Sequence, residues 1–373
     1  MFVPILLAAA APAAPAAYES AAPVAYLIDF SSGAVLYSRD ADRRIPTASM
    51  AKMMTAWVAF EAIKAGTIKP KQVFPVKDAT WMKWNNTGSS MFLKVGEDVS
   101  VENLLHGILT VSGNDASVVL AEGMAGTEAE FANHMTAEAK RLGMKDSRFG
   151  TANGWPDKGA TYSTAHDLAL LANRIVTDHP ALFRQYFGQS GFTWNNVTQA
   201  NRNPLLGAMP GADGMKTGHS DEAGYCLVGT VMQGKRRLLL VIAGLPTQEA
   251  RINEARNMMR WGFDAWQSKP LFAQGRTVAE IPVQLGEQSR IRLVAPRDLA
   301  ATLPRGIGKP ISLTIRYKGP ARAPFVKGTE LAQLVAKLPD GSKQVMPLIA
   351  AESVGKADFF GRAWNGAKNL VGA

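Results

Sequence analysis

A chain of 373 residues with 47% hydrophobic and 19% charged residues has the composition of a folded globular protein, and it exceeds the usual size of one core. Its net charge of +10 suits an anionic partner, but no basic block interleaved with aromatics points to nucleic acid. A single cysteine, Cys226, excludes an internal disulfide and a cysteine-rich metal site.

The first residues, MFVPILLAAAAPAAPAAYES, carry no charge before Glu19. Residues 1–17 read as the apolar part of a secretory signal, with small residues at Ala14 to Ala17 for cleavage, although no basic residue precedes them. No later apolar run is long enough to span a bilayer, so an exported, soluble or peripherally attached protein is expected. Next, AYLIDFSSGAVLYSRD predicts two short strands turning at Ser31, Ser32 and Gly33. An apolar helix containing PTASMAKMMTAWVAF follows and ends near Gly66, a suitable left-handed cap.

Two apolar helices are predicted within ENLLHGILTVSGNDASVVLAEGMAG, broken at Ser112, Gly113 and Asn114. Thr127 with Glu130, and Thr164 with Asp167, mark the starts of two more helices. Three consecutive strands then follow in GMKTGHS, AGYCLVGTVMQ and RRLLLVIAGL, the last pair turning at Gln233, Gly234 and Lys235. A long helix, TQEARINEARNMMRWGFDAWQ, closes the unit near Lys269 and Pro270. Strands at both ends of a helical segment imply an α/β fold over residues 18–268, an antiparallel sheet flanked by helices.

After Pro270 the pattern changes to short alternating strands, RTVAEIPVQLG, SRIRLVAP, ISLTIRY and KQVMPLIAA, split by Gly and Pro, which predicts a small all-β domain over 269–352. Residues 353–373 are expected to form a terminal amphipathic helix. Phe359, Phe360, Ala363, Trp364, Ala367 and Leu370 share one side, and Arg362 and Lys368 fall toward the other. That pattern suits a helix lying in the plane of a membrane surface, weakened by Gly361 and Gly366.

Lys52 is the one charge between residues 46 and 60, three residues after Ser49. Helical residues three apart project from one face, and unpaired N–H groups at a helix start favour an alkoxide. A serine nucleophile needs a base. Lys52 serves only when neutral, and burial lowers a lysine pKa by up to about 3–5 units. The pair alone is weak, because Ser353 and Lys356 repeat its spacing where nothing suggests a site.

Ser112 and Asn114 lie at a helix break, where side chains reach a cleft or simply cap a helix. Lys216, Thr217 and Gly218 open a strand. Lys216 there is either an edge guard or a second positive charge beside Lys52 and a substrate carboxylate. Gly218 leaves room for a backbone to lie along the strand.

In this order the three elements resemble the Ser-x-x-Lys, Ser-x-Asn and Lys-Thr-Gly signature of penicillin-recognising serine enzymes. PTASMAKMMT, TVSGNDAS, NRNPLL and DGMKTGHSDEAGYCLV extend the resemblance over roughly residues 22–350. The family is that of the serine-type D-alanyl-D-alanine carboxypeptidases, the low-molecular-mass penicillin-binding proteins.

The resemblance implies that Ser49 is acylated, Lys52 is its base and Ser112 relays a proton. Asn114 would hold the substrate amide, and Lys216 and Thr217 would lie near its terminal carboxylate. Backbone N–H groups of Ser49 and His219 would form an oxyanion hole, worth about 3–4 kcal/mol per donor. Arg202 and Arg251 match basic positions close to the cleft. The implied substrate is the peptidoglycan stem pentapeptide, and β-lactams would act as covalent inhibitors. No cofactor or metal is implied, and the implied location is the periplasmic face of the inner membrane.

Asn153, in TANGWPDKG, departs from the family pattern, which carries histidine there. His106, His134, His166 and His179 are expected on helix faces and ends, and none belongs to a His-Glu-x-x-His motif. The chain has no Gly-x-Ser-x-Gly elbow, and no Glu-x-x-Leu-Asn segment of class A β-lactamases lies between Asn114 and Lys216. A D,D-endopeptidase, a β-lactamase or a non-catalytic wall-binding scaffold on the same fold remain the alternatives.

Overall fold

The structure, a computed structural model, describes residues 17–306 and 310–357. The expected signal, apart from Ala17, and residues 358–373 of the expected terminal helix lie outside the described residues. The chain divides into two compact units, one of Tyr18–Phe30 with Val35–Gly262 and one of Ser31–Ala34 with Phe263 onward.

The larger unit is built on a five-stranded sheet. Its strands are β1 (Val24–Asp29), β2 (Ala34–Arg39), β3 (Ala212–Ser220), β4 (Gly224–Gln233) and β5 (Arg236–Leu245), in the spatial order β2-β1-β5-β4-β3. The pairs β1–β5, β4–β5 and β3–β4 are antiparallel, as expected from the sequence. Leu239, Val241 and Ala243 of β5 join the helical core, while Leu238, Leu240 and Ile242 on the opposite side are equally buried. A sheet covered on both faces explains why RRLLLVIAGL is an unbroken apolar run.

Eight helices dress this sheet: α1 (Lys52–Ala65), α2 (Asp78–Trp84), α3 (Val101–Thr110), α4 (Asn114–Ala125), α5 (Glu128–Leu142), α6 (Ala165–Asp178), α7 (Pro180–Tyr186) and α8 (Gln248–Asp264). α1 is buried on every side from Lys52 to Phe60, the pattern of a central helix. Its end is set by Gly66 at φ 75°, whose following N–H, on Thr67, bonds back to the Ala62 carbonyl. The predicted caps are present: Thr127 accepts from the Glu130 N–H, and Thr164 from the Asp167 N–H. On the far face, α8 lies so close that a side chain at Gly262 would strike Leu27 and Leu238.

Among the described residues, the second unit is all-β from Trp266 onward. Its longer strands are β6 (Trp266–Phe272), β7 (Thr277–Gln284), β8 (Arg290–Val294), β9 (Leu299–Pro304), β10 (Ser312–Tyr317), β11 (Glu330–Lys337) and β12 (Lys343–Ala350). β6 pairs with β9, and the others order as β10-β11-β12-β8-β7 around a core that includes Ile281, Leu293, Leu334 and Leu348.

Three local expectations are corrected. The helix expected through Gln267 stops at Asp264, and Trp266 already opens β6, which runs across the expected 268/269 boundary. β9 and β11 were not anticipated, because their buried positions are filled partly by alanine, a weak strand former. Residues 353–357 are not helical. Val354 and Lys356 form bridges with Phe325 and Gly286, and Ser353 Oγ accepts from the Lys327 N–H. The second Ser-x-x-Lys is therefore a piece of β structure.

Candidate active site

Ser49 does not sit in the α-helix itself. Residues Ala48–Ala51 form a 3-10 turn that runs into α1 at Lys52. In such a turn residues i and i+3 eclipse one another. Lys52 Nζ therefore reaches Ser49 Oγ at 2.9 Å. Its other two partners are Asn114 Oδ1 at 2.8 Å and the Asn153 carbonyl oxygen at 2.7 Å. Lys52 is fully buried, whereas Ser49 opens onto a cleft of about 590 Å³.

The helix break delivers the second element. Ser112 holds φ 65° at the break and lines the cleft. Asn114 is the first residue of α4, and its own N–H bonds to the Ser89 carbonyl at 2.7 Å. Its Nδ2 points to the Thr87 carbonyl at 3.3 Å, which turns Oδ1 toward Lys52.

The third element is the edge strand β3, paired on one side with β4. Thr217, Gly218 and His219 line the cleft, with Lys216 buried beneath them. A side chain at Gly218 would press on the Thr47 carbonyl oxygen at 3.0 Å, and on Ala48 and Met50. Glycine lets β3 approach the serine turn this closely without displacing it. Arg202 and Arg251 also line the cleft. Arg202 donates to Ser89 Oγ from an exposed position. Arg251, on α8, is buried with its guanidinium 5.6 Å from the centre of the Tyr225 ring, which in turn lies 3.9 Å from the His219 ring.

All ten residues singled out in the sequence thus line or underlie one cleft. The electrostatics follow from burial and like charge. Loss of hydration holds the Lys52 pKa well below the usual lysine range, and the positive charges of Lys216 and Arg202 depress it further. Burial, then Arg202 and Arg251, lowers Lys216 to about 7.

The sequence did not reveal the part of the cleft lined by residues 153–156. Asn153 contributes its backbone carbonyl to Lys52, a contact with no sequence signal because every residue carries that group. Its side-chain Oδ1 accepts from the Trp155 N–H at 2.9 Å and shapes the turn. The Asn153-Gly154 dipeptide was the available signal, since it favours a left-handed turn. Gly154 has φ 73°, and a Cβ there would collide with the Ala48 carbonyl oxygen. Gly154→Ala is expected to destabilise the fold by at least about 2 kcal/mol and to reduce activity, because strain and collision coincide. Thermal unfolding together with turnover measures both effects, and wild-type values would disprove the packing argument.

Comparison with known proteins shows the family. Residues 9–247 match the family described as D-alanyl-D-alanine carboxypeptidase, and residues 266–356 match the C-terminal domain of penicillin-binding protein 5. D-alanyl-D-alanine carboxypeptidase DacC of Escherichia coli is 36% identical over 344 residues, 91% of this chain and 86% of that protein. The crystal structure of penicillin-binding protein 5 from Haemophilus influenzae superposes with a TM-score of 0.78 at 32% identity, covering 91% of this chain and 99% of that one. Penicillin-binding protein D2 of Listeria monocytogenes, in an ampicillin-bound form, covers 65% of this chain and 98% of its own at 30% identity and a TM-score of 0.59. The chain belongs to the D-alanyl-D-alanine carboxypeptidase family of serine peptidases.

Proposed function

We propose that this enzyme removes the terminal D-alanine from peptidoglycan stem pentapeptides through an acyl-enzyme on Ser49. The observation that carries the reading is the environment of Lys52 Nζ. Two of its three contacts, Asn114 Oδ1 and the Asn153 carbonyl, are oxygens that only accept. A neutral amine has two N–H bonds and one lone pair. In the neutral form its two N–H bonds satisfy the two acceptors, and a lone pair replaces the N–H that is donated to Ser49 Oγ at 2.9 Å.

Ser49 then attacks the penultimate D-alanine carbonyl while its proton passes to Lys52. The N–H groups of Ser49 and His219 stabilise the oxyanion. Ser112 relays the proton to the departing amine, and water hydrolyses the ester. The peptide backbone lies along the free side of β3, as an added strand, with Asn114 on its amide. Lys216, Thr217, Arg202 and Arg251 gather around its terminal carboxylate.

A β-lactam would acylate the same serine, in keeping with the ampicillin-bound form of the Listeria relative. The reading includes export and residence at the periplasmic face of the inner membrane. The apolar leader and the amphipathic spacing of the last residues support it. No helix among the described residues is long and apolar enough to cross a membrane.

The test is incubation with a pentapeptide ending in D-Ala-D-Ala, followed by mass measurement of products and enzyme. Tetrapeptide, free D-alanine and a transient acyl adduct are expected. An intact pentapeptide after prolonged incubation would sink the proposal.

A further inference from the structure

Asp115 follows Asn114 in α4 and is buried, yet it lies outside the three motifs. Its carboxylate gathers donors from a neighbouring segment. Ser90 Oγ donates to Oδ2 at 2.7 Å, the Met91 N–H to Oδ1 at 2.9 Å and the Leu93 N–H to Oδ2 at 3.2 Å. The Ala116 N–H, in the first turn of α4, donates to Oδ1 at 2.8 Å. Ser90 Oγ also accepts from the Phe92 N–H at 2.8 Å, so the turn is locked from within.

The same segment forms part of the cleft. The Thr87 carbonyl accepts from Asn114 Nδ2, the Ser89 carbonyl accepts from the Asn114 N–H, and Ser89 Oγ accepts from Arg202. Gly88 lies between them, where a side chain would strike both Trp155 and Asn114 Nδ2. One carboxylate therefore fixes the segment, and the segment fixes which end of the Asn114 amide meets Lys52. Hydrogen bonds to a charged acceptor are roughly twice as strong as neutral ones, so one buried aspartate can hold an irregular stretch in place.

We propose that Asp115 is a positioning residue for the acylation step: it clamps residues 87–93 against α4 and thereby holds the Asn114 amide with Oδ1 on Lys52 and sets the neighbourhood of Arg202. The inference rests on the acyl-enzyme reading above. It also has an electrostatic side. The charges around Lys52 are Lys216 on β3, Arg202 in the loop before it, Asp115 on α4 and Glu128 on α5. The two carboxylates favour the ammonium, against the two cations and burial.

Asp115→Asn removes the negative charge and presents an amide donor to N–H groups that need acceptors. Expected are a loss in kcat of about tenfold or more, since small misplacements of catalytic groups are costly, and faster amide exchange at Met91 and Leu93. The acidic limb of kcat/KM should also move to lower pH, a shift that a purely structural role would not produce. Faster exchange with wild-type kcat and an unmoved limb would overturn the proposal, as would unchanged exchange.

Should Asp115→Asn fail to fold, Ser90→Ala decides, because it keeps the carboxylate and removes one clamp. It should lower kcat several-fold and leave the limb in place, and a wild-type kcat would overturn the proposal. Penicillin labelling of the wild-type protein separates the two readings. Absence of label removes the acyl-enzyme, whereas normal labelling with wild-type behaviour of both variants removes only the role of Asp115.

Discussion

Lys52→Arg is expected to lower the rate of acylation by fluorescent penicillin by about 10²–10⁴-fold, the usual contribution of a general base. A guanidinium does not lose its proton in a protein, so it cannot accept one from Ser49. The native site does the opposite: burial and the charges of Lys216 and Arg202 drive Lys52 toward its neutral form. The sign of the pH dependence follows. The base is inactive while protonated, so kcat/KM of the wild-type enzyme should rise with pH through the lowered Lys52 pKa. That acidic limb should lie well below the range of an ordinary lysine. Circular dichroism in the aromatic region checks that the variant is folded. Near-normal labelling of a folded Lys52→Arg protein would remove Lys52 from the base role.

Ser49→Ala should take up no penicillin at all, with no mass increase after incubation with either antibiotic or pentapeptide. The matching control is Ser353→Ala. Ser353 repeats the spacing to a lysine, but it lies in the β unit, accepting from the Lys327 N–H, and its lysine forms a β-bridge rather than a buried pair. That variant should label like the wild type. Equal labelling of wild type and Ser49→Ala would show that the adduct forms elsewhere.

The contrast between these two serines shows how far a motif can be read. Ser-x-x-Lys occurs twice, and the pattern alone does not separate the copies. The apolar neighbours of Lys52 were the sequence signal: Met50, Met53, Met54 and Trp57 are all fully buried around it. The order of the three motifs supplied the rest. The central sheet was legible because β3, β4 and β5 are consecutive and joined by tight turns. β9 and β11 were not, since alanine at buried strand positions leaves little contrast between the two faces of a strand.

What the sequence determined by itself was chemical identity and local form: a serine and a lysine three apart, a helix break, a strand opening on Lys-Thr-Gly, and the threonine caps that start α5 and α6. These depend on neighbours in the chain. Tertiary structure decided which groups meet in the cleft. It set the 3-10 turn that aligns Ser49 with Lys52, and brought the Asn153 carbonyl and the Asn114 amide to the lysine from 101 and 62 residues away. It also brought Lys216 beneath the cleft and tied residues 87–93 to Asp115. The physical reason is that a pKa and a lone-pair direction are set by burial, nearby charge and acceptor geometry. All three are supplied by residues remote in sequence.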